Sequence, residues 1–177
     1  MKVVVKNGAE LSPDELLQVN TTKARQWHNP PMDDDLARET TLFLLEDEKN
    51  QILSQGELIE VNGIIFNNKT FNIIGIGGIV ANEWGKGYGR QIMSAIKSYI
   101  FEKKMTGVGF TNKSGFYVKC GFKIDSGSKR RFVYMQDGVR ITNKEDEDVL
   151  YLEGEDKFME KVLSSSEDIL LPRRPDW

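Results

Sequence analysis

Apolar positions change period several times along the chain, and each change marks an element. Residues 2–6, KVVVK, form a short β-branched run expected to be a first or edge strand. LSPDELLQVNTTKARQW then opens a helix, with Ser12 as cap, Pro13 at the first helical position and Glu15 completing a capping box. HNPPMDDD (28–35) breaks that helix and makes an acidic loop. From Thr40 to Val80 the pattern predicts three strands, with turns at EDEKN and NNKT, so an antiparallel meander is expected.

A second helix is predicted where Ile92, Met93, Ile96, Tyr99 and Ile100 recur at helical spacing. It should end near Lys103 and Lys104, whose charges suit a helix C-terminus. TGVGF (106–110) reads as a short strand, and KSGFYVKCGF (113–122) as a brief helix ended by Gly121, with a strand from Phe122. RRFVYM and DVLYLEG supply two more strands, separated by the charged turn NKEDED. An amphipathic stretch, DKFMEKVL, precedes the tail LPRRPDW. The expectation is one α/β domain over 1–177, with its core at 40–124 and C-terminal strands and tail at 125–177.

Composition narrows the chemistry. Hydrophobic residues at 39% and charged residues at 29% place the 177 residues among soluble globular domains. A net charge of -3 argues against general nucleic-acid binding, which shows a basic surplus. The longest apolar run, IIGIGGIVA (73–81), is about half the ~18 residues of a membrane span, so no membrane partner is expected. The start, MKVVVKNGAE, lacks the apolar core and cleavage site of a signal peptide, which gives a cytoplasmic expectation. One cysteine (Cys120) and one histidine (His28) exclude internal disulfides, Cys/His zinc clusters and paired-histidine metal helices, and no metal is expected. His28, in QWHNPP, reads as a loop residue rather than a hydrolase base, and Cys120 as a small packed residue.

The most informative stretch is NEWGKGYGR (82–90), where a strand leads into a glycine-rich turn that opens a helix. There the first-turn amides point outward, unpaired, at the positive end of the helix dipole. Gly85, Gly87 and Gly89 would let a diphosphate lie against them, and Lys86 and Arg90 add charge. A plain structural turn is the competing reading. The nucleotide P-loop is excluded because no Gly-Lys-Ser/Thr follows, and a dinucleotide fold because the preceding strands are an antiparallel meander.

WGKGYGR, followed about 25 residues later by FYVKCGF, resembles the GNAT superfamily of acetyl-coenzyme A-dependent N-acetyltransferases. The family signature [Q/R]-x-x-G-x-[G/A] falls on Trp84, Gly87 and Gly89, with tryptophan where glutamine or arginine is usual. The second signature, Y-x-K-x-G-F, falls on Tyr117, Lys119, Gly121 and Phe122. The resemblance implies a mixed, mostly antiparallel sheet flanked by helices on both faces, with acetyl-coenzyme A as co-substrate. It implies coenzyme contacts at Ile79, Val80, Trp84, Gly85, Lys86, Gly87, Tyr88, Gly89, Arg90 and Asn112. The strand ending GGIV should splay from its neighbour. Tyr117 stands where relatives place the acid that protonates the departing thiolate, a proton transfer that assists collapse after direct amine attack; a core aromatic is the other reading.

Many relatives carry a glutamate base on the strand before the glycine turn, but NIIGIGGIV has no carboxylate. Glu57 and Glu60, on the preceding strand, are the candidates; at i and i+3 they face opposite sides, so at most one meets the site. Surface exposure of both, with a water chain as base, is equally compatible. DGVRITNKEDEDVLYLEG and the final RRPDW are faintly similar to the aminoglycoside 2′-N-acetyltransferase branch. That likeness implies a cationic small-molecule amine held by Asp176 and the carboxylate of Trp177, with Asp33, Asp34 and Asp35 adding attraction. The open alternative is a non-catalytic coenzyme A or acyl-coenzyme A sensor. A homodimer is compatible with either.

Overall fold

The computed structural model describes residues 1–27, 39–142 and 147–175. They divide into two compact units: Met1–Ile59 with Gly77–Ser98, and Glu60–Ile76 with Tyr99–Trp177.

In the first unit, β1 (Lys2–Asn7) pairs antiparallel with β2 (Thr40–Glu46), from Lys2↔Glu46 to Asn7↔Thr41. β2 in turn pairs antiparallel with the first half of β3 (Ile52–Phe66), from Thr40↔Ile59 to Leu45↔Ser54. Helix α1 (Pro13–Trp27) starts on its capping box: the Glu15 N–H donates to Ser12 Oγ at 3.3 Å, and the Ser12 N–H to Glu15 Oε2 at 2.8 Å. Lys6 reaches Glu15 at 2.5 Å and ties β1 to that first turn. Val19 of α1 packs with Leu42, Leu44 and Ile52. Leu42 and Leu44 lie opposite Glu57 and Gln55, so these two β3 residues face α1. The other face of β3 carries Gly56, where a Cβ would strike Ile92 at 2.7 Å and Ile79 at 2.8 Å. Gly56 thus allows helix α2 (Tyr88–Lys103) to press against the strand.

In the second unit the strand order is β6-β9-β5-β4-β3-β10-β7-β8. The strands not yet introduced are β4 (Lys69–Ala81), β5 (Gly107–Thr111), β6 (Lys123–Asp125), β7 (Phe132–Gln136), β8 (Val139–Thr142), β9 (Asp148–Leu152) and β10 (Ile169–Leu171). β4 and β5 run parallel over Ile74–Ile76 against Gly107–Gly109; the ladder ends there although both strands continue. The remaining helices are α3 (Ser114–Lys119) and α4 (Phe158–Leu163). Phe66, Val108, Phe132, Tyr151 and Phe158 are among the residues that close the core of this unit.

The meander, the two long helices, the TGVGF strand and the brief helix ended by Gly121 (φ 86°) lie where the sequence puts them. Two strands were not expected. Asp137 (φ 52°) and Gly138 (φ 76°) make a tight turn with both residues left-handed, which folds β8 back on β7 before the charged turn. β10 takes up the start of the tail and pairs parallel with β7, Leu170 lying opposite Val133. No helix of the described residues is long and apolar enough to cross a membrane.

Candidate functional site

In the first unit the site is built on the exit of β4. Asn82, the first residue of the glycine stretch, is anchored from three directions. Its N–H donates to the Leu53 carbonyl at 2.9 Å, its side-chain amide to the Ile52 carbonyl at 2.5 Å, and its Oδ1 accepts from Thr22 of α1 at 3.2 Å. Ser54 Oγ donates to the Val80 carbonyl at 2.6 Å and fixes the strand end from the other side. From this fixed base the chain turns through Gly85 (φ 78°) and Gly87 (φ 77°) into α2. A Cβ at either position would meet nothing within 4 Å, so these glycines serve the backbone conformation and leave open space beside it. Gln91 N–H returns to the Gly87 carbonyl at 3.3 Å, so α2 is wound from Gly87 onward and its preceding first-turn amides have no intrahelical acceptor.

Lys86 and Arg90 are exposed, and Lys86 is only loosely held, 3.9 Å from Glu83. Trp84 is 78% exposed, so its indole packs on nothing that would dictate tryptophan there. Tyr88 and Gly89 are half-buried in the first turn of α2.

A second left-handed glycine site lies within β4 itself. Gly78 has φ 61°, and a Cβ there would come within 2.4 Å of Glu57 Cδ. The carboxylate of Glu57 therefore lies directly against the β4 backbone just before Ile79 and Val80. Glu57 is held by Lys23 of α1, Nζ to Oε1 2.7 Å, with side chains only 13% and 7% exposed. Glu60 goes elsewhere: it is exposed, belongs to the other unit and pairs with Lys103 at 3.5 Å. Glu57 and Glu60 are thus separated as strand parity requires, and Glu57 is the one at the β4 backbone.

In the second unit, Tyr117 on α3 is half-buried. Its ring meets Phe116 and Phe122 edge-on, with centroids at 5.0 and 6.5 Å. Burial pushes its phenol up to about 12, against a hydrogen bond with Thr111 that pulls the other way. Thr111 closes β5, is itself buried, and accepts from the Lys113 N–H at 2.9 Å. Asn112, between them, is exposed.

Thr111, Lys23, Gln55 and Asn82 were not singled out from the sequence. Asn82 lies in the quoted stretch, but its anchoring depends on partners 30 and 60 residues away. Asp33, Asp34, Asp35, Asp176, Trp177 and His28 lie outside the described residues. Among the described residues no group of three or more His, Cys, Asp or Glu could hold a metal.

No family model matches the sequence, and no curated protein sequence matches it. Solved structures do. An acyl-coenzyme A N-acyltransferase from Pseudomonas aeruginosa is 16% identical, with 85% of this chain and 99% of that chain covered, at a TM-score of 0.60. A GNAT-family N-acetyltransferase from Escherichia coli in complex with CoA is 12% identical, covering 97% of this chain and 89% of that one, also at 0.60. A spermidine N-acetyltransferase from Vibrio cholerae, in complex with CoA and spermine, is 16% identical, with 89% and 98% covered, at 0.55. At these identities the likeness is one of backbone: the chain has the fold of the GNAT N-acetyltransferases.

Proposed function

We propose that the chain is an N-acetyltransferase that moves an acetyl group from acetyl-coenzyme A to a primary amine on a cationic small molecule, by direct attack. The observation that carries this reading is the turn at Gly85 and Gly87, left-handed at both glycines and open where a side chain would stand, leading into the first-turn amides of α2. Such a cradle fits a diphosphate, and Lys86 and Arg90 supply charge beside it. The backbone at Ile79 and Val80 receives the pantetheine arm and thioester, next to the kink at Gly78.

Three side chains of this protein then have work to do. Glu57 accepts a proton from the incoming ammonium; its 2.7 Å pair with Lys23 is an ammonium–carboxylate contact of the required kind. Tyr117 remains protonated at neutral pH and donates to the departing thiolate. Thr111 orients the Tyr117 hydroxyl. Asp33, Asp34, Asp35 and Asp176 are assigned to attraction of the cation, the role given to them by their charge. An aminoglycoside and a polyamine both belong to the acceptor class; the structural neighbour with spermine bound favours including polyamines in the assay.

The test is thiol release from acetyl-coenzyme A across a panel of primary amines, polyamines and aminoglycosides. Amine-dependent release is the expected result. Coenzyme binding with no release for any amine would make the chain a coenzyme-binding sensor.

A further inference from the structure

Lys23 is held against the carboxylate to which the base role falls in the reading above. Its Nζ lies 2.7 Å from the Glu57 carboxylate, and that carboxylate lies against the left-handed backbone of Gly78. Both partners are largely shielded from water, which separates this pair from the surface lysines; Lys2 and Lys104, for comparison, have side chains 63% and 66% exposed. A second polar group shares the face. Gln55, two residues from Glu57 and roughly 7 Å away along the strand, is fully buried with neither amide atom hydrogen-bonded. Glu57 Oε1, although within ion-pair distance of Lys23, likewise has no hydrogen bond, so this face carries buried polar atoms that the protein leaves unsatisfied.

We propose that the protein acetylates its own Lys23, with acetyl-coenzyme A as donor. The proposal rests on the coenzyme reading above. Glu57 takes a proton from the Lys23 ammonium, and the neutral Nζ attacks the thioester carbonyl. A carbon–nitrogen bond forms and the carbon–sulfur bond breaks; the second proton of the attacking amine goes to the departing thiolate, so the coenzyme leaves as its thiol, and Glu57 passes the first proton to water. Gln55 supplies an N–H donor for the acetyl oxygen. The product lysine is neutral, so Glu57 loses its counter-charge and is freed for an external ammonium. Self-modification therefore converts a base engaged by the protein's own amine into one open to a substrate cation.

The experiment incubates the full chain with acetyl-coenzyme A, follows acetylation of each lysine peptide by mass spectrometry, and measures coenzyme binding by calorimetry on the same sample. Lys23 should be modified on the order of 100-fold faster than Lys2 and Lys104, and Glu57→Gln should remove that lead. Lys23→Arg, which keeps the ion pair, should abolish the fast phase and leave slow surface labelling. Lys23→Gln, a neutral stand-in for the acetylated side chain, should lower Tm without any coenzyme present. Coenzyme binding with Lys23 modified no faster than the surface lysines overturns the proposal and leaves the coenzyme reading standing. Absence of binding overturns both. A fast phase that survives Glu57→Gln, or an unchanged Tm in Lys23→Gln, removes the ion pair from the account and overturns the proposal as well.

Discussion

Gly78 and Glu57 occupy one space: a Cβ on the glycine would fall 2.4 Å from the glutamate Cδ. The glycine is also left-handed, at φ 61°, so an alanine there is strained even without the contact. Gly78→Ala should lower stability by roughly 1–3 kcal/mol. Combining it with Glu57→Ala should recover at least about 0.5 kcal/mol relative to the sum of the two single variants. Denaturant melts of the four proteins check this; strict additivity would mean the two residues do not share the space.

Tyr117→Phe should reduce kcat by about 100- to 10,000-fold while coenzyme affinity stays within twofold. The variant keeps the ring contacts with Phe116 and Phe122, and Thr111 retains its bond from Lys113. Steady-state rates with calorimetric affinities decide it. Unchanged turnover would remove Tyr117 as the acid.

The same residue sets the alkaline side of the pH profile. An acid works while protonated, and burial raises the Tyr117 phenol from 10.0 to about 12. The rate should therefore show no loss from tyrosine ionisation between neutrality and pH 10. A fall centred near 10 that vanishes in Tyr117→Phe would contradict that environment.

Ser12→Ala should cost about 0.5–2 kcal/mol, the usual worth of an N-cap. It should also weaken the acid dependence of stability. Burial pushes Glu15 up, but hydrogen bonds from Lys6 and Ser12 outweigh it and hold the carboxyl below its ordinary value. Its contribution is therefore complete above about pH 4.3, the unfolded value, and is lost as pH falls through the folded one. Thermal melts down an acid series should show a smaller drop in the variant than in the parent.

Much of this was legible in the sequence because its signals are local. The α1 capping box, the three-strand meander, the left-handed glycines before α2 and the Gly121 stop each depend on residues a few positions apart. The Asp137–Gly138 turn is equally local: an Asp-Gly pair between two short β-branched runs is itself a hairpin signal. β10 left no such trace: three residues, ILL, are too few for a period, and their partner Phe132–Tyr134 lies more than thirty positions away. The Lys23–Glu57 pair is similarly hidden. A polar lysine on an amphipathic helix reads as solvated, and only the fold turns it inward onto β3. Strand parity did separate Glu57 from Glu60, but could not say which one reached β4.

The central claim is that acetyl-coenzyme A lies on the glycine turn before α2. Titration calorimetry with acetyl-coenzyme A tests it most directly, on the parent chain and on the Lys86→Ala/Arg90→Ala double variant. The account predicts a saturable heat with one site per chain. It also predicts affinity lower in the double variant by about ten- to a hundredfold, or about 1.4–2.8 kcal/mol, with the difference shrinking as salt is raised. No heat and no thermal shift in the parent chain would contradict it.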